Sequence, residues 1–268
     1  MAPASAGVAA ARGPVAFVVV AKGVTPIRTA TNSAGRLIKL PGTASPTNIV
    51  ITPDGKTAYV DGDQPTGAVI PINTATKRAG KPIKVGRFPD GMAITPNGKT
   101  LYVANIGSGT VTPINVATNT AGKAIKVGIR PRSITITPNG KTAYVTNQQS
   151  NTVTPIATAT NQPGKPIKVG NGPLGIGMTP DGKIVYSLNV GYTSDANTVT
   201  PISTATNKPG RAIRVGESPW ALAATPDSKT AYVVSLDSHT VTPINTATST
   251  AGKPIHVGLH PFTIAIAP

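Results

Sequence analysis

The chain has 268 residues, 25 Lys and Arg against 9 Asp and Glu, a formal net charge of +16, and no cysteine. The missing cysteines exclude disulfides, thiolate metal sites and a cysteine nucleophile, but they fix no compartment. No apolar run reaches the ~18 residues of a membrane-spanning helix, and residues 1–13 lack the basic start and long apolar centre of an intact signal peptide.

In chain order, residues 1–13 read as a disordered tail, and Val15-Ala16-Phe17-Val18-Val19 follows as a strand. From there the chain is periodic. A Pro-Ile pair recurs at Pro26, Pro71, Pro113, Pro155, Pro201 and Pro243, and Val-Gly recurs at Val85, Val127, Val169, Val215 and Val257. The step is about 42 residues, a period that belongs to solenoids, arrays and propellers. Pro53-Asp54-Gly55-Lys56 is echoed at Pro96, Pro138, Pro180 and Pro226.

One unit divides into four short runs. Residues 133–138 alternate apolar and polar, Asn139-Gly140 is a hairpin turn signal, and residues 142–146, 151–156 and 166–169 supply three further strands. Strands of ~5 residues joined by loops of ~4–6 fill such a unit. Repeated radially, such antiparallel units make a β-propeller of ~4–8 blades. The last residues, Pro261 to Pro268, match a first strand with no second after it, whereas the chain opens on a second strand with no first. The expectation is an all-β, six-bladed propeller over residues 14–268, closed by pairing the two terminal strands in the last blade. Closure of this kind removes exposed sheet edges.

Tyr144-Val145-Thr146-Asn147 resembles the signature of YVTN-type β-propeller repeats, with partial copies at Tyr59-Val60, Tyr102-Val103-Ala104-Asn105, Tyr186 with Asn189, and Tyr232-Val233. The resemblance covers residues 14–268. It implies a propeller fold and a bacterial secreted or cell-envelope protein, with the cytoplasm as the second choice. It implies no particular activity. Unlike the usual pattern, every unit has proline in its third strand. Proline has no N–H for the ladder, so a bulge repeated in each blade is expected there.

The positive charge invites a polyanion. However, 16 of the 25 basic residues fall at repeated positions: before the fourth strand (Arg36, Lys81, Lys123, Lys165, Arg211, Lys253), within it (Lys39, Lys84, Lys126, Lys168, Arg214), or after the hairpin turns (Lys56, Lys99, Lys141, Lys183, Lys229). Lysine on an outer strand guards a sheet edge. These lysines are not interleaved with aromatics as single-strand binding requires. An anionic envelope polymer therefore fits better than a specific nucleic acid.

The repeat also isolates what it does not explain. Tyr59, Tyr102, Tyr144, Tyr186, Tyr232 and Phe17 share one framework position; the remaining aromatics are Phe88, Tyr192, Trp220 and Phe262. Asp61, Asp63, Asp90, Asp195, Glu217, Asp237, His239 and His260 fall in loops expected on the same face. The residue after the proline that leads into each first strand varies around the ring: Thr47, Asp90, Arg132, Leu174, Trp220 and Phe262. Loops carry function more often than framework does, and large exposed aromatics call for a partner.

Two readings follow. In the first, a non-enzymatic scaffold binds a glycan, peptide or envelope polymer through Trp220, Phe262, Phe88, Tyr192, Arg130, Arg132, Asp90, Thr47 and Leu174. In the second, a cofactor-independent lyase, hydrolase or cyclase uses His239, His260, Asp237, Glu217 and Asp90 to move protons. Asp61-Gly62-Asp63 resembles a fragment of a calcium loop without its other oxygen ligands, so a turn is expected and no metal. No cofactor motif is present, and a monomer is expected.

Overall fold

The computed structural model describes residues 13–41, 46–62, 65–191 and 196–267. These residues form six antiparallel sheets and no helix. With the sheets numbered 1 to 6 in chain order, sheet 4 shows the plan. Its inner strand is Pro131–Ile136, the second Thr142–Asn147 and the third Thr152–Ala157, and its outer edge is split into Gln162–Pro163 and Ile167–Lys168. The inner hairpin closes locally. Asn139 Oδ1 accepts from Thr137 Oγ1 at 2.7 Å and from Lys141 N at 3.0 Å, and Gly140 takes the left-handed φ of 70° that the turn needs. Neighbouring sheets pack face to face through their inner strands, as the blades of a propeller do.

The core lies between sheets. Tyr102, Val111 and Ile125 of sheet 3 pack on Ala143, Val145 and Ile156 of sheet 4, and the other clusters repeat this arrangement around the ring. Each fully buried side chain of this size contributes about 1.5–3 kcal/mol. A hydrogen bond clasps successive sheets beneath the tyrosines. Tyr59 Oη donates to Asn119 Oδ1, Tyr102 to Asn161 and Tyr144 to Asn207, each at 2.6 Å. These asparagines sit at φ between 54° and 56° in the turn before the outer strand of the next sheet, and asparagine tolerates that conformation better than most residues. At the next interface the equivalent turn residue is Ser249, and the buried Tyr186 hydroxyl finds no partner. Between sheets 1 and 2 both members change: Phe17 replaces the tyrosine, and Lys77 stands at the asparagine position.

Two expectations need correction. The prolines form no bulge. Pro113 and Pro155 pair in continuous register with Tyr102 and Tyr144. The outer strand opens opposite each of them, so the missing N–H deprives no ladder. The proline carbonyl still accepts, from Gly122 and Gly164 N at 2.7 Å. Those glycines lie so close that a Cβ would come within 3.1–3.2 Å of the proline ring, which is why glycine recurs there.

The expected terminal pairing is also absent. Among the described residues Val15–Val20 of sheet 1 pairs with Gly23–Arg28 alone, and residues 261–267 form no strand. Ile255 of sheet 6 is 49% exposed, whereas its five equivalents, Ile38, Ile83, Ile125, Ile167 and Ile213, are 5–6% exposed. Val18 and Val20 of sheet 1 are exposed as well. The ring therefore has an unpacked seam between its last and first sheets.

Candidate ligand-binding site

The two loop types expected on one face do meet there. Gln148 N donates to Arg130 O at 2.9 Å, Val190 N to Gly172 O at 3.1 Å and Leu236 N to Ser218 O at 3.0 Å. Each of these bonds ties the lead-in loop of a sheet to the loop between its second and third strands. The asparagine of the YVTN run reinforces the joint: Asn147 Oδ1 accepts from Gly128 N at 3.0 Å, and its Nδ2 donates to Thr152 and Thr154.

Four of the six varied residues after the lead-in prolines are strand residues, while Thr47 and Phe262 remain in loops. Asp90, Arg132, Leu174 and Trp220 are the second residues of inner strands, at the point where the register with the second strand slips. Such irregularities re-aim side chains at strand ends. Here they serve one depression of about 600 Å³, lined by Arg130, Arg132, Leu174 and Trp220 together with Gln148, Gln149, Asn151, Asn171, Gly172, Val190 and Gly191. Trp220 is 43% exposed.

Among the described residues no carboxylate lines this depression. Arg132 is ion-paired, its Nη1 lying 3.3 Å from Asp90 Oδ2, with both side chains about one-quarter exposed. Asp90 also belongs to a chain that runs back under the lead-in loops. Asn48 Nδ2 bridges Asp90 Oδ1 at 3.3 Å and Asp61 Oδ2 at 3.0 Å. Asp61 is fully buried at the end of the second strand of sheet 2, and its Oδ1 accepts from Thr47 N, Thr47 Oγ1 and Asn48 N. Burial pushes the Asp61 carboxyl up from its ordinary value, against the pull of those donors. Asp61 is thus a strand residue that organises the loop carrying Thr47, rather than the turn residue expected. The Arg132 Nε is buried without a hydrogen-bond partner among the described residues.

The other candidates are placed elsewhere. Phe88 is 38% exposed and lies against Gly107, and Phe262 is 61% exposed by the seam; neither lines the depression. Tyr192, Asp63 and Asp195 lie outside the described residues. His239 and His260 form an edge-to-face pair with ring centroids 4.9 Å apart, and His239 Nδ1 accepts from His260 N at 3.1 Å. Asp237 accepts from Ser218 Oγ, while Glu217 receives no side-chain partner beyond its own N–H donating to Ser238 Oγ at 2.7 Å. No described bond joins Asp237 or Glu217 to either histidine. The described residues contain no grouping of three or more potential metal ligands. The polar rim of Gln148, Gln149, Asn151 and Asn171 was not singled out from sequence, because polar residues in surface loops carry no signal of their own.

Comparison with known proteins agrees with this architecture. A family model described as "Lactonase, 7-bladed beta-propeller" matches residues 91–171, less than a third of the chain. The solved structure titled "Kuenenia stuttgartiensis Hydrazine Synthase" superposes with a TM-score of 0.66 at 26% identity, covering 79% of this chain and 68% of that one. A functionally unknown protein from Desulfotomaculum acetoxidans superposes with a TM-score of 0.73 at 20% identity, covering 90% and 78%. No curated protein matches the chain. The chain is a β-propeller. Its described residues form six sheets where the matching family's description names seven blades.

Proposed function

We propose that the protein is a binding propeller whose top face takes an anionic ligand with a flat, partly apolar body, such as an acidic glycan. The observation that carries this reading is the convergence of Arg130, Arg132 and Trp220 on one depression whose described lining holds no carboxylate. Two guanidinium groups recognise a carboxylate or sulfate by paired hydrogen bonds. An indole face covers a sugar ring, and the surrounding amides suit hydroxyl groups. A secreted or cell-envelope location fits such a ligand and forms part of the same proposal.

The enzymatic reading rests on His239, His260 and Asp237, and on the enzyme names carried by the matching family and by one structural neighbour. Those side chains are outside the depression, and the histidine pair is engaged with itself, which favours binding without turnover.

Trp220 is the single tryptophan, so its fluorescence reports on the site directly. Titration with oligogalacturonate should shift the emission, and neutral oligosaccharides should not. Arg132→Ala should weaken the response about tenfold or more, as loss of a charge-assisted pair implies, while His239→Ala should leave it unchanged. Turnover of a bound compound that disappears in His239→Ala, with binding intact, would overturn the reading in favour of the enzyme.

A further inference from the structure

The repeat provides its own control for charge, and one interface departs from it. At the rim between sheets 1 and 2 a groove of about 710 Å³ is lined by Arg28, Arg36, Lys39, Lys77 and Arg78 together with Leu37, Ile38 and Pro41, with no acidic residue among the described ones. The same junction recurs between each following pair of sheets, where the outer strand of one meets the outer strand of the next. At those places the five positions hold Asn73, Lys81, Lys84, Asn119 and Thr120; Asn115, Lys123, Lys126, Asn161 and Gln162; Ala157, Lys165, Lys168, Asn207 and Lys208; and Ser203, Arg211, Arg214, Ser249 and Thr250. Arg36 and Lys39 are thus framework, cations at Arg28 and Lys77 are particular to the first groove, and Arg78 has a cationic counterpart at Lys208 alone.

Lys77 is the most telling of the three. It occupies φ 58°, a conformation that asparagine fills at the equivalent turns of sheets 1, 3, 4 and 5, and a long side chain there is strained relative to asparagine. Lysine became admissible because Phe17 beneath it has no hydroxyl to be clasped. None of the five cations makes an ion pair among the described residues. Arg28, Arg36, Lys39 and Arg78 are exposed.

We infer that this groove is a docking site for a linear acidic polysaccharide, distinct from the top-face depression. Charge complementarity selects an anion, and the row of cations along a rim selects an extended one. The absence of any aromatic from the lining removes the stacking platform that single-stranded nucleic acid needs. Guanidinium forks at Arg28, Arg36 and Arg78 suit sulfate and carboxylate groups spaced along a chain.

The test returns the groove to the repeat consensus with the triple variant Arg28→Asn, Lys77→Asn, Arg78→Thr, residues that the sister sheets already carry and that the fold therefore accepts. The comparison is Lys81→Gln, Lys123→Gln, Lys165→Gln, which removes the same charge from three other sheets. Binding of a heparin oligosaccharide is measured against salt. The consensus triple should lose about tenfold or more in affinity and lower the salt slope by roughly two to three, because counterion release scales with the cations engaged. The comparison triple should lose no more than about twofold. Equal losses in the two triples would reduce the effect to net charge and overturn the site, as would tighter binding of poly(dT) than of heparin. Trp220 fluorescence, unchanged by the consensus triple, keeps this outcome separate from that of the top-face site.

Discussion

Replacing Ser249 by Asn should stabilise the protein. The Tyr186 hydroxyl is buried between sheets 5 and 6 without a partner, whereas three equivalent tyrosines each donate to an asparagine at 2.6 Å. An unpaired buried hydroxyl costs about 1–3 kcal/mol, and a completed hydrogen bond contributes about 1 kcal/mol net. Ser249 has a φ of 53°, within the 54–56° span of Asn119, Asn161 and Asn207 to about a degree, and asparagine prefers this region to serine. Together these give a gain of about 1–2 kcal/mol, or roughly 2–4 °C in Tm per kcal/mol for a chain of this size. The companion variants set the sign. Tyr144→Phe should cost about 1 kcal/mol by breaking an existing clasp, and Tyr186→Phe should cost nothing and gain up to about 1 kcal/mol, because it removes a buried hydroxyl that has no partner. Thermal and urea unfolding by circular dichroism measure all three. If Tyr186→Phe costs as much as Tyr144→Phe, or Ser249→Asn brings no gain, the clasp does not hold the sheets together.

Other consequences follow from the same geometry. Asp61→Ala leaves Thr47 N and Asn48 N without their acceptor and should cost about 2–4 kcal/mol in urea unfolding. Burial raises Tyr59, Tyr102, Tyr144 and Tyr186, with Tyr102 and Tyr186 pushed to about 12. A raised folded value gives stability that is complete below the unfolded value of about 10 and is lost above it, so unfolding free energy should fall between about pH 10 and pH 12, with Tyr186→Phe reducing the fall. Removing residues 261–268 should leave the melting curve nearly unchanged, since residues 261–267 pair with no strand; a marked drop would mean that they close the seam in solution.

The period, the order of strands and the face carrying the variable residues were legible in the sequence, because alternation, the Asn139-Gly140 turn and the recurring prolines are local signals. The convergence of Arg130, Arg132, Leu174 and Trp220 was half legible. Their equivalence showed in the repeat, but the register slip that aims them together did not. Asp61 was misplaced because nothing local distinguishes a buried carboxylate serving Thr47 and Asn48 from one in a surface turn. The proline problem dissolved only once the split outer strand was seen, since a gap in a partner strand leaves no mark on the strand itself. The groove at Arg28, Lys77 and Arg78 was hidden by the period, because those residues come from two different repeats.

The most direct test of the central claim is the emission of Trp220 titrated with oligogalacturonate, in the native protein and in Arg132→Ala. A saturable shift that weakens about tenfold or more in the variant is the predicted result. A native protein whose emission ignores the acidic sugar, or a variant that binds it equally well, would contradict the assignment of the top face as an anion-binding site.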